Sequence, residues 1–147
     1  MTLVGVEAAP VLAAIHVAAL DVPWSEAAFR QLLSSAGVFA LVAEDREAPV
    51  AFVLVRTVAD EGEILTLATL PAERRKGFAW KLMEATARHA EQRGVRRLLL
   101  EVAEDNDAAL ALYGRLGYQV IGKRAAYYTR NGAAQDARVL CCDLSGA

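Results

Sequence analysis

The chain has few cysteines, no long apolar run and a net charge near zero, and each of these features excludes a class of protein. Its two cysteines, Cys141 and Cys142, are adjacent, which excludes a disulfide framework. No apolar segment reaches the length of a membrane span, and the N-terminus lacks the basic start of a signal peptide. We therefore expect a cytoplasmic protein with no membrane partner. The formal net charge of −2 provides no general basic surface, so we expect no direct nucleic-acid binding.

Histidine is also scarce, which bears on metal binding. The chain has two histidines, His16 and His89, and they fall on separate predicted helices. A zinc site needs several His, Cys or carboxylate ligands at close spacing. We therefore expect both histidines to be packed or at the surface, and we predict no metal cofactor.

The amino-acid composition is typical of one globular domain. Of the 147 residues, 55% are hydrophobic and 23% are charged, so we predict a single domain over residues 1–147. The periodicity predicts helices that start near Pro10, at Ser25, at Gly77 and at Ala108. The predicted strands cover residues 3–6, 38–43, 50–58, 64–70, 97–102, 118–121 continuing through 125–128, and 136–144.

The order of these elements is β-α-α-β-β-β-α-β-α-β-β. Residues 44–49 form a predicted turn between two antiparallel strands, and residues 60–62 form the next turn. The strand 97–102 follows a helical crossover, so we expect it to lie parallel to 64–70. The pattern predicts an α/β fold of the mixed α+β kind, with about seven strands in one mixed sheet and helices on both faces.

The chain is organised around residues 63–93, which contain a strand, a basic turn and an amphipathic helix. Pro71 ends the strand, Gly77 precedes the helix, and Gly94 ends it. The first turn of a helix presents unpaired N–H groups and the positive end of the helix dipole, and a glycine lets a ligand approach closely. The turn therefore predicts a site for phosphate groups. A solvated basic turn that only begins a helix is the alternative.

The turn lacks two common phosphate-binding motifs. Neither G-x-x-x-x-G-K-[ST] nor G-x-G-x-x-G follows a strand. Instead, RRKGFA at 74–79 resembles the [Q/R]-x-x-G-x-[G/A] turn of the GNAT acetyltransferase superfamily, with Arg74 where glutamine is frequent and Ala79 where glycine is frequent. The resemblance implies that backbone amides of this turn hold the pyrophosphate of acetyl-coenzyme A.

The second half of the chain carries a further resemblance. LEV at 100–102, Asn106, ALY at 111–113 and LGY at 116–118 are similar to the signature of N-terminal protein acetyltransferases, in particular those that act on a ribosomal-protein alanine. Segments 16–29 and 124–137 resemble that group too, although Thr129 replaces a proline. The resemblance implies acetyl transfer to the α-amino group of a protein N-terminus, with a small-subunit ribosomal protein as partner. The cofactor-binding residues that it implies are Leu67, Ala68, Thr69, Arg74, Arg75, Lys76, Gly77, Phe78, Ala79, Asn106 and Tyr113.

Acetyl transfer from a thioester to an amine needs a base, an oxyanion donor and an acid. Glu101 is the candidate base, acting through water; a carboxylate in a salt bridge is the alternative. Tyr113 is the candidate acid that protonates the coenzyme sulfur, and core packing is its alternative. Asn106 would bind the pantetheine arm or simply cap a helix. A backbone N–H within residues 65–69 would serve the oxyanion.

The same resemblance implies an acceptor site lined by Trp24, Glu101, Tyr127 and Tyr128. Two other functions fit the pattern. The first is a GNAT enzyme that acetylates a lysine side chain or a small amine. The second is a noncatalytic acyl-coenzyme A-binding module, which would need the phosphate turn but neither Glu101 nor Tyr113.

Overall fold

The computed structural model describes residues 1–130 and 133–144, and for residues 126–130 and 133–134 it describes the backbone alone. Within these residues the helices are α1 (Ala9–Ala19), α2 (Glu26–Leu33), α3 (Phe78–Gln92) and α4 (Asp107–Arg115). The strands are β1 (Thr2–Val4), β2 (Val38–Asp45), β3 (Ala48–Val58), β4 (Glu61–Thr69), β5 (Arg97–Ala103), β6 (Gln119–Arg130) and β7 (Ala133–Asp143). Short 3-10 helices cover Val6–Ala8 and Pro71–Glu73.

The strands form one mixed sheet in the order β1-β2-β3-β4-β5-β7-β6. The pair β4 and β5 is parallel and the other pairs are antiparallel. This topology confirms the predicted mixed sheet of seven strands and the predicted crossover through α3.

Side chains that alternate along the central strands serve two separate cores. Phe52 and Leu54 of β3 pack with α1 and α2 on one face of the sheet. Val53 and Val55 lie on the opposite face, which α3 and α4 cover. Because successive residues of a strand point to opposite faces, one apolar strand can support both layers. The helices therefore lie on both faces, as predicted.

Two turns are shorter than the sequence predicts, so the strands beside them are longer. The turn between β2 and β3 is Arg46 and Glu47 rather than residues 44–49, and both have positive φ, 52° and 69°. Positive φ at both central residues is typical of the tight hairpin turn whose twist matches that of its strands. The next turn contains Ala59, with φ of 56°, so β4 begins at Glu61 rather than residue 64.

Other predicted bounds also need correction. The first strand ends at Val4, because the chain turns into a 3-10 helix where the prediction continued the strand to residue 6. The two predicted segments 118–121 and 125–128 form one strand, β6, with register shifts against β7 in place of a break. β7 begins at Ala133 rather than at residue 136 because it follows β6 back as a long antiparallel partner.

The feature that creates a binding site is the separation of β4 from β5. Their parallel pairing runs from Glu61 opposite Arg97 only to Glu63 opposite Leu99. Just beyond this point Leu54 pairs with Thr66 and Val55 with Ile64, so Leu65 is an extra residue in β4. An extra residue of this kind bends its strand and leaves local backbone groups unpaired. The sheet therefore opens between the carboxyl ends of its two central parallel strands.

Candidate active site

The opening between β4 and β5 is a cavity of about 560 Å³, which we call the cleft. β4 and β5 form its two sides, α1 and the chain after it form a third, and α4 forms the fourth. Clefts at the carboxyl ends of parallel strands are common ligand sites. The lining residues are His16, Leu20, Val22, Trp24, Ile64, Leu65, Thr66, Leu67, Leu100, Glu101, Val102, Ala103, Asn106, Ala109 and Tyr113.

Glu101 reaches the cleft from β5, and its carboxylate is held by Arg124 of β6. One guanidinium nitrogen of Arg124 donates to both carboxylate oxygens, at 2.8 and 3.0 Å. The Glu101 side chain is 22% exposed. It also lines another cavity, a groove of about 510 Å³ along β3, β4 and β5. The salt-bridge alternative is therefore present, and the same carboxylate lies at the junction of two cavities. Arg124 was not predicted as a site residue because a strand separates it from β5.

Tyr113 and Asn106 enter the cleft from opposite ends of α4. The Tyr113 side chain is buried, and its ring centroid lies 5.7 Å from that of Tyr118. It thus contributes to the core and lines the cleft at once. Asn106 caps α4, since its Oδ1 accepts a hydrogen bond from the Ala109 N–H at 3.2 Å. The capping alternative for Asn106 is therefore observed, in a residue that also lines the cleft.

β4 presents an unpaired backbone edge to the cleft. From Ile64 to Thr69 its described ladder partners are all on β3, so the edge that faces β5 has no strand partner there. Leu67 lines the cleft, and Thr69 lines the next cavity along the strand. The side chain of Ala68 is buried against α1 and α2 on the other face. Leu67, Ala68 and Thr69 are the predicted cofactor-binding residues of β4. Of these, Ala68 can contact a ligand in the cleft only through its backbone.

The second cavity, of about 540 Å³, lies at the N-terminus of α3, and we call it the cradle. Gly77 caps α3 with φ of 87°, and Lys81 N–H donates to its carbonyl at 3.1 Å. The N–H groups of residues 78–80 precede this first helical bond and point out of the helix end. A Cβ at Gly77 would meet no described atom within 4 Å. The space in front of these N–H groups is therefore open, as a bound phosphate requires.

The basic side chains of the predicted turn differ from one another in what they contact. Arg74 lines the cradle but donates to the Ala19 carbonyl at the end of α1, at 2.9 Å. The ammonium of Lys76 pairs with Glu73 at 2.7 Å, and this contact raises the pKa of Lys76. Arg75 lines the cradle, as do Phe78 and Ala79. Arg115 of α4 lines it too. The sequence did not identify Arg115, because nothing in its own segment indicates that α4 faces the turn before α3.

His16 forms part of the cleft wall, and its side chain is fully buried. Trp24 N–H donates to His16 Nδ1 at 2.9 Å, and His16 Nε2 lies 3.1 Å from Thr66 Oγ1. Burial lowers the pKa of His16, which favours the neutral imidazole. The Trp24 ring packs against His16 and against Phe29, with centroids 5.1 and 5.6 Å apart. The sequence predicted that His16 is packed or at the surface. It did not predict the hydrogen bonds that connect His16 to Trp24 and to Thr66 of β4.

Other sequence predictions concern residues with less structural information. Tyr127 and Tyr128 belong to β6, but their side chains lie outside the described residues. Within the described ranges, no three His, Cys, Asp or Glu side chains are grouped to hold a metal ion. No helix in these ranges is long and apolar enough to cross a membrane. Cys141 and Cys142 are free thiols in β7, and burial raises the pKa of each.

Comparison with known proteins identifies the family to which this arrangement belongs. Residues 10–118 match the model of the Acetyltransferase (GNAT) family. The chain is 32% identical, over 98% of both chains, to the [Ribosomal protein bS18]-alanine N-acetyltransferase of Escherichia coli (strain K12). It is 37% identical to the N-alpha-acetyltransferase RimI of Mycobacterium tuberculosis (strain ATCC 25618 / H37Rv), over 77% of this chain and 72% of that one.

A solved structure agrees with these relatives. The ribosomal-protein-S18-alanine N-acetyltransferase from Escherichia coli superimposes with a TM-score of 0.92 and 29% identity, over 99% of this chain and 95% of that chain. The agreement includes the mixed sheet and the helices that frame the cleft and the cradle. The chain belongs to the acetyltransferase (GNAT) family.

Proposed function

We propose that this protein transfers an acetyl group from acetyl-coenzyme A to the α-amino group of a protein N-terminus. The observation that carries the proposal is the pair of cavities along β4: a cradle at the start of α3, and a cleft that holds Glu101 and Tyr113. The similarity to enzymes named for a ribosomal-protein alanine supports the choice of acceptor, a ribosomal protein that begins with alanine.

The cradle suits the phosphate end of the coenzyme, and the edge of β4 suits its thioester end. The open space at Gly77, the N–H groups of residues 78–80 and the side chains of Arg75 and Arg115 provide donors and positive charge for phosphates. Thr69 lines the cradle and Leu67 lines the cleft, so β4 connects the two cavities. An extended ligand can therefore lie along this strand, with its phosphates at α3.

Acetyl-coenzyme A supplies an activated thioester, whose acetyl group passes to the amine while the sulfur leaves as a thiolate. Backbone N–H groups on the free edge of β4 are the donors available to the carbonyl oxygen, where negative charge develops. These N–H groups are fixed by the pairing of β4 with β3, so they need no rearrangement during the reaction. The bulge at Leu65 directs this part of the strand away from β5 and towards the cleft.

Glu101 is the group that removes the proton from the incoming ammonium, through a water molecule. Arg124 fixes the orientation of the carboxylate by its contacts to both oxygens. The location of Glu101 where the cleft meets the neighbouring groove gives an acceptor a path from the surface to the base. Tyr113 donates its phenolic proton to the leaving sulfur and recovers one from solvent. The nitrogen loses one proton to Glu101 before it attacks and a second as the amide forms. The leaving thiolate takes up one proton, so the whole reaction releases one proton to solvent.

The acidity of the acceptor favours an α-amino group over a lysine. The α-amino group has an ordinary pKa of about 8 and lysine of about 10.4, so deprotonation at pH 7 costs about 1.4 and about 4.6 kcal/mol respectively. A single carboxylate that acts through water is suited to the smaller cost. Leu20, Val22 and Trp24 form an apolar side of the cleft beside this carboxylate, which suits a small uncharged first side chain.

The proposal is tested with peptides that carry one free α-amine and one lysine, with the first residue varied. We expect mass spectrometry to locate the acetyl group on the α-amine, with alanine preferred at the first position. Matched peptides with a blocked α-amine should remain unmodified. Acetylation of lysine alone, or of small amines in preference to every peptide, would reject this acceptor. Binding of acetyl-coenzyme A without transfer to any amine would indicate a noncatalytic binding module.

A further inference from the structure

His16 is the buried titratable side chain of the cleft to which the proposed chemistry assigns no role. It belongs to α1, yet its two ring nitrogens contact two other parts of the chain. Nδ1 accepts from the backbone N–H of Trp24, and Nε2 lies within hydrogen-bond distance of Thr66 on β4. A single side chain thus connects residues 20–25, which we call the acceptor loop, to the strand that borders the cleft.

The contact with Trp24 determines the protonation state of the ring. A backbone N–H can only donate, so Nδ1 must carry a lone pair. The neutral ring must then carry its hydrogen on Nε2, which donates to Thr66 Oγ1. Protonation of Nδ1 would place two donors against each other and release the Trp24 N–H. The neutral Nε2–H tautomer is therefore the form that connects both partners.

Among the described residues, the rings in contact with His16 and its hydrogen-bond partner on β4 carry no charge that would stabilise a protonated ring. Its ring contacts are Trp24, Phe29 and Phe52, at centroid distances of 5.1, 5.1 and 6.0 Å, and its β4 partner is a neutral hydroxyl. The ionisable side chains that line the cleft with it are Glu101 and Tyr113. Near the end of α1, the guanidinium of Arg74 donates to the Ala19 carbonyl.

We propose that His16 is a positioning residue: as the neutral Nε2–H tautomer, it holds the acceptor loop against β4 and so fixes the acceptor side of the cleft. Leu20, Val22 and Trp24 of this loop line the same cleft as Glu101. A loop that drifts would misplace an acceptor amine relative to the carboxylate, and displacements of about 1 Å can cost about a hundredfold in rate. This kinetic consequence depends on the proposed acetyl transfer, but the connection between the loop and β4 does not.

The first test reads the tautomer directly and requires no activity. The ring ¹⁵N chemical shifts of the intact protein distinguish the two neutral tautomers and the cation. Because the chain has two histidines, a His89→Gln variant assigns the signals. We expect His16 to be the Nε2–H tautomer at pH 7 and to titrate below pH 6.5. An Nδ1–H tautomer, or a cationic ring at pH 7, would overturn the proposal, because in neither form can Nδ1 accept a hydrogen bond from the Trp24 N–H.

The second test compares two substitutions of nearly equal shape, His16→Asn and His16→Leu. The Asn Oδ1 occupies the position of His Nδ1 and can accept from Trp24, whereas a leucine methyl group there cannot. We expect His16→Leu to lower kcat/KM for the acceptor peptide about tenfold, mainly through KM, since a part-buried N–H loses its partner. His16→Asn keeps the Trp24 contact but does not reach Thr66, so we expect its kcat/KM to lie between those of the wild type and His16→Leu. The affinity for coenzyme A should be unchanged in both.

The outcomes separate the positioning role from a general packing role. Assays at least 15 °C below the melting temperature of each variant remove the contribution of unfolding. Equal loss of kcat/KM in the two variants, or a parallel loss of affinity for coenzyme A, would overturn the proposal. If His16→Leu does not fold, the tautomer measurement on the wild type still decides. If the wild type acetylates no α-amine, the proposed function fails while the tautomer measurement still tests the connection between the loop and β4.

Discussion

Replacement of Gly77 should remove coenzyme A binding, and α3 provides its own control at the other end. Gly77 and Gly94 flank the helix, with φ of 87° and 83°. At both positions an added Cβ would meet no described atom within 4 Å. A side chain at either position is therefore strained by the backbone and not by a clash with the protein. Only Gly77 borders the cradle, so Gly77→Gln and Gly94→Gln share their folding cost and differ in the binding site.

The magnitudes follow from these conformations. A left-handed backbone costs a residue with a Cβ about 1–2 kcal/mol. For a chain of 147 residues, 1 kcal/mol changes the melting temperature by about 2–4 °C, so each variant should melt about 2–8 °C below the wild type. Coenzyme A at about 100 times its dissociation constant adds about 2.7 kcal/mol, or about 5–11 °C. The glutamine side chain at position 77 occupies the space in front of the first N–H groups of α3, so this increase should disappear.

Thermal unfolding monitored by circular dichroism, with and without coenzyme A, measures both effects. We expect Gly94→Gln to keep the whole increase in melting temperature and Gly77→Gln to lose it. Adenosine 3′,5′-bisphosphate, which lacks the pantetheine arm, should give a smaller increase with the wild type. A wild-type increase in Gly77→Gln, or an equal loss in Gly94→Gln, would refute the location of the phosphates in the cradle.

Three further predictions concern other residues of the site. Tyr113→Phe should lower kcat at least tenfold, because the leaving sulfur loses its general acid, and should change the dissociation constant of coenzyme A little. An unchanged kcat would show that Tyr113 serves only to pack the core. Arg115→Ala should weaken coenzyme A binding about tenfold in calorimetry, while Arg88→Ala, an exposed control on α3, should not. Burial lowers the pKa of His16 in the folded state from its ordinary value of 6.5, so its contribution to the free energy of unfolding is complete above that pH and is lost as the pH falls. Urea unfolding at about pH 7.5 and about pH 5 should therefore show a larger acid loss in the wild type than in His16→Asn.

The sequence predicts the sheet well because its strands and turns carry local signals. Ser25, for example, was predicted to begin the second helix, and its hydroxyl caps α2 by accepting a hydrogen bond from the Ala28 N–H at 3.1 Å. The helix after Gly77 was predicted from apolar spacing and from the glycines at its two ends, and it covers Phe78–Gln92. The turn at Arg46 and Glu47 was predicted too long, as residues 44–49, because its positive φ angles occur at residues with no preference for them. Local signals therefore determined which elements exist more accurately than where they end.

The parts of the site that sequence reasoning missed all depend on contacts between distant segments. Arg124 meets Glu101 across 23 residues, and Arg74 meets Ala19 across 55. His16 meets Thr66 across 50 residues. Neither partner in such a pair changes the local periodicity, so the pattern contains no trace of the contact. The bulge at Leu65 is hidden for a similar reason, since it is defined by the register of β3 against β4.

Two interpretations of Glu101 are possible: it forms a structural ion pair, or it is the catalytic base. The geometry of the carboxylate makes them compatible. A carboxylate offers about four lone-pair positions on two oxygens, so a guanidinium nitrogen that contacts both oxygens does not by itself saturate the group. The contact limits rotation of the side chain, and a base that acts through water benefits from a fixed direction. Arg124 belongs to β6, the strand that also contains Tyr127 and Tyr128, so the orientation of the carboxylate is tied to the segment proposed to hold the acceptor. The cleft then has two such connections: Arg124 links the carboxylate to β6, and His16 links the acceptor loop to β4. In the proposed reaction, these two connections would together set the position of an incoming amine relative to the edge of β4, because each restricts a different side of the cleft.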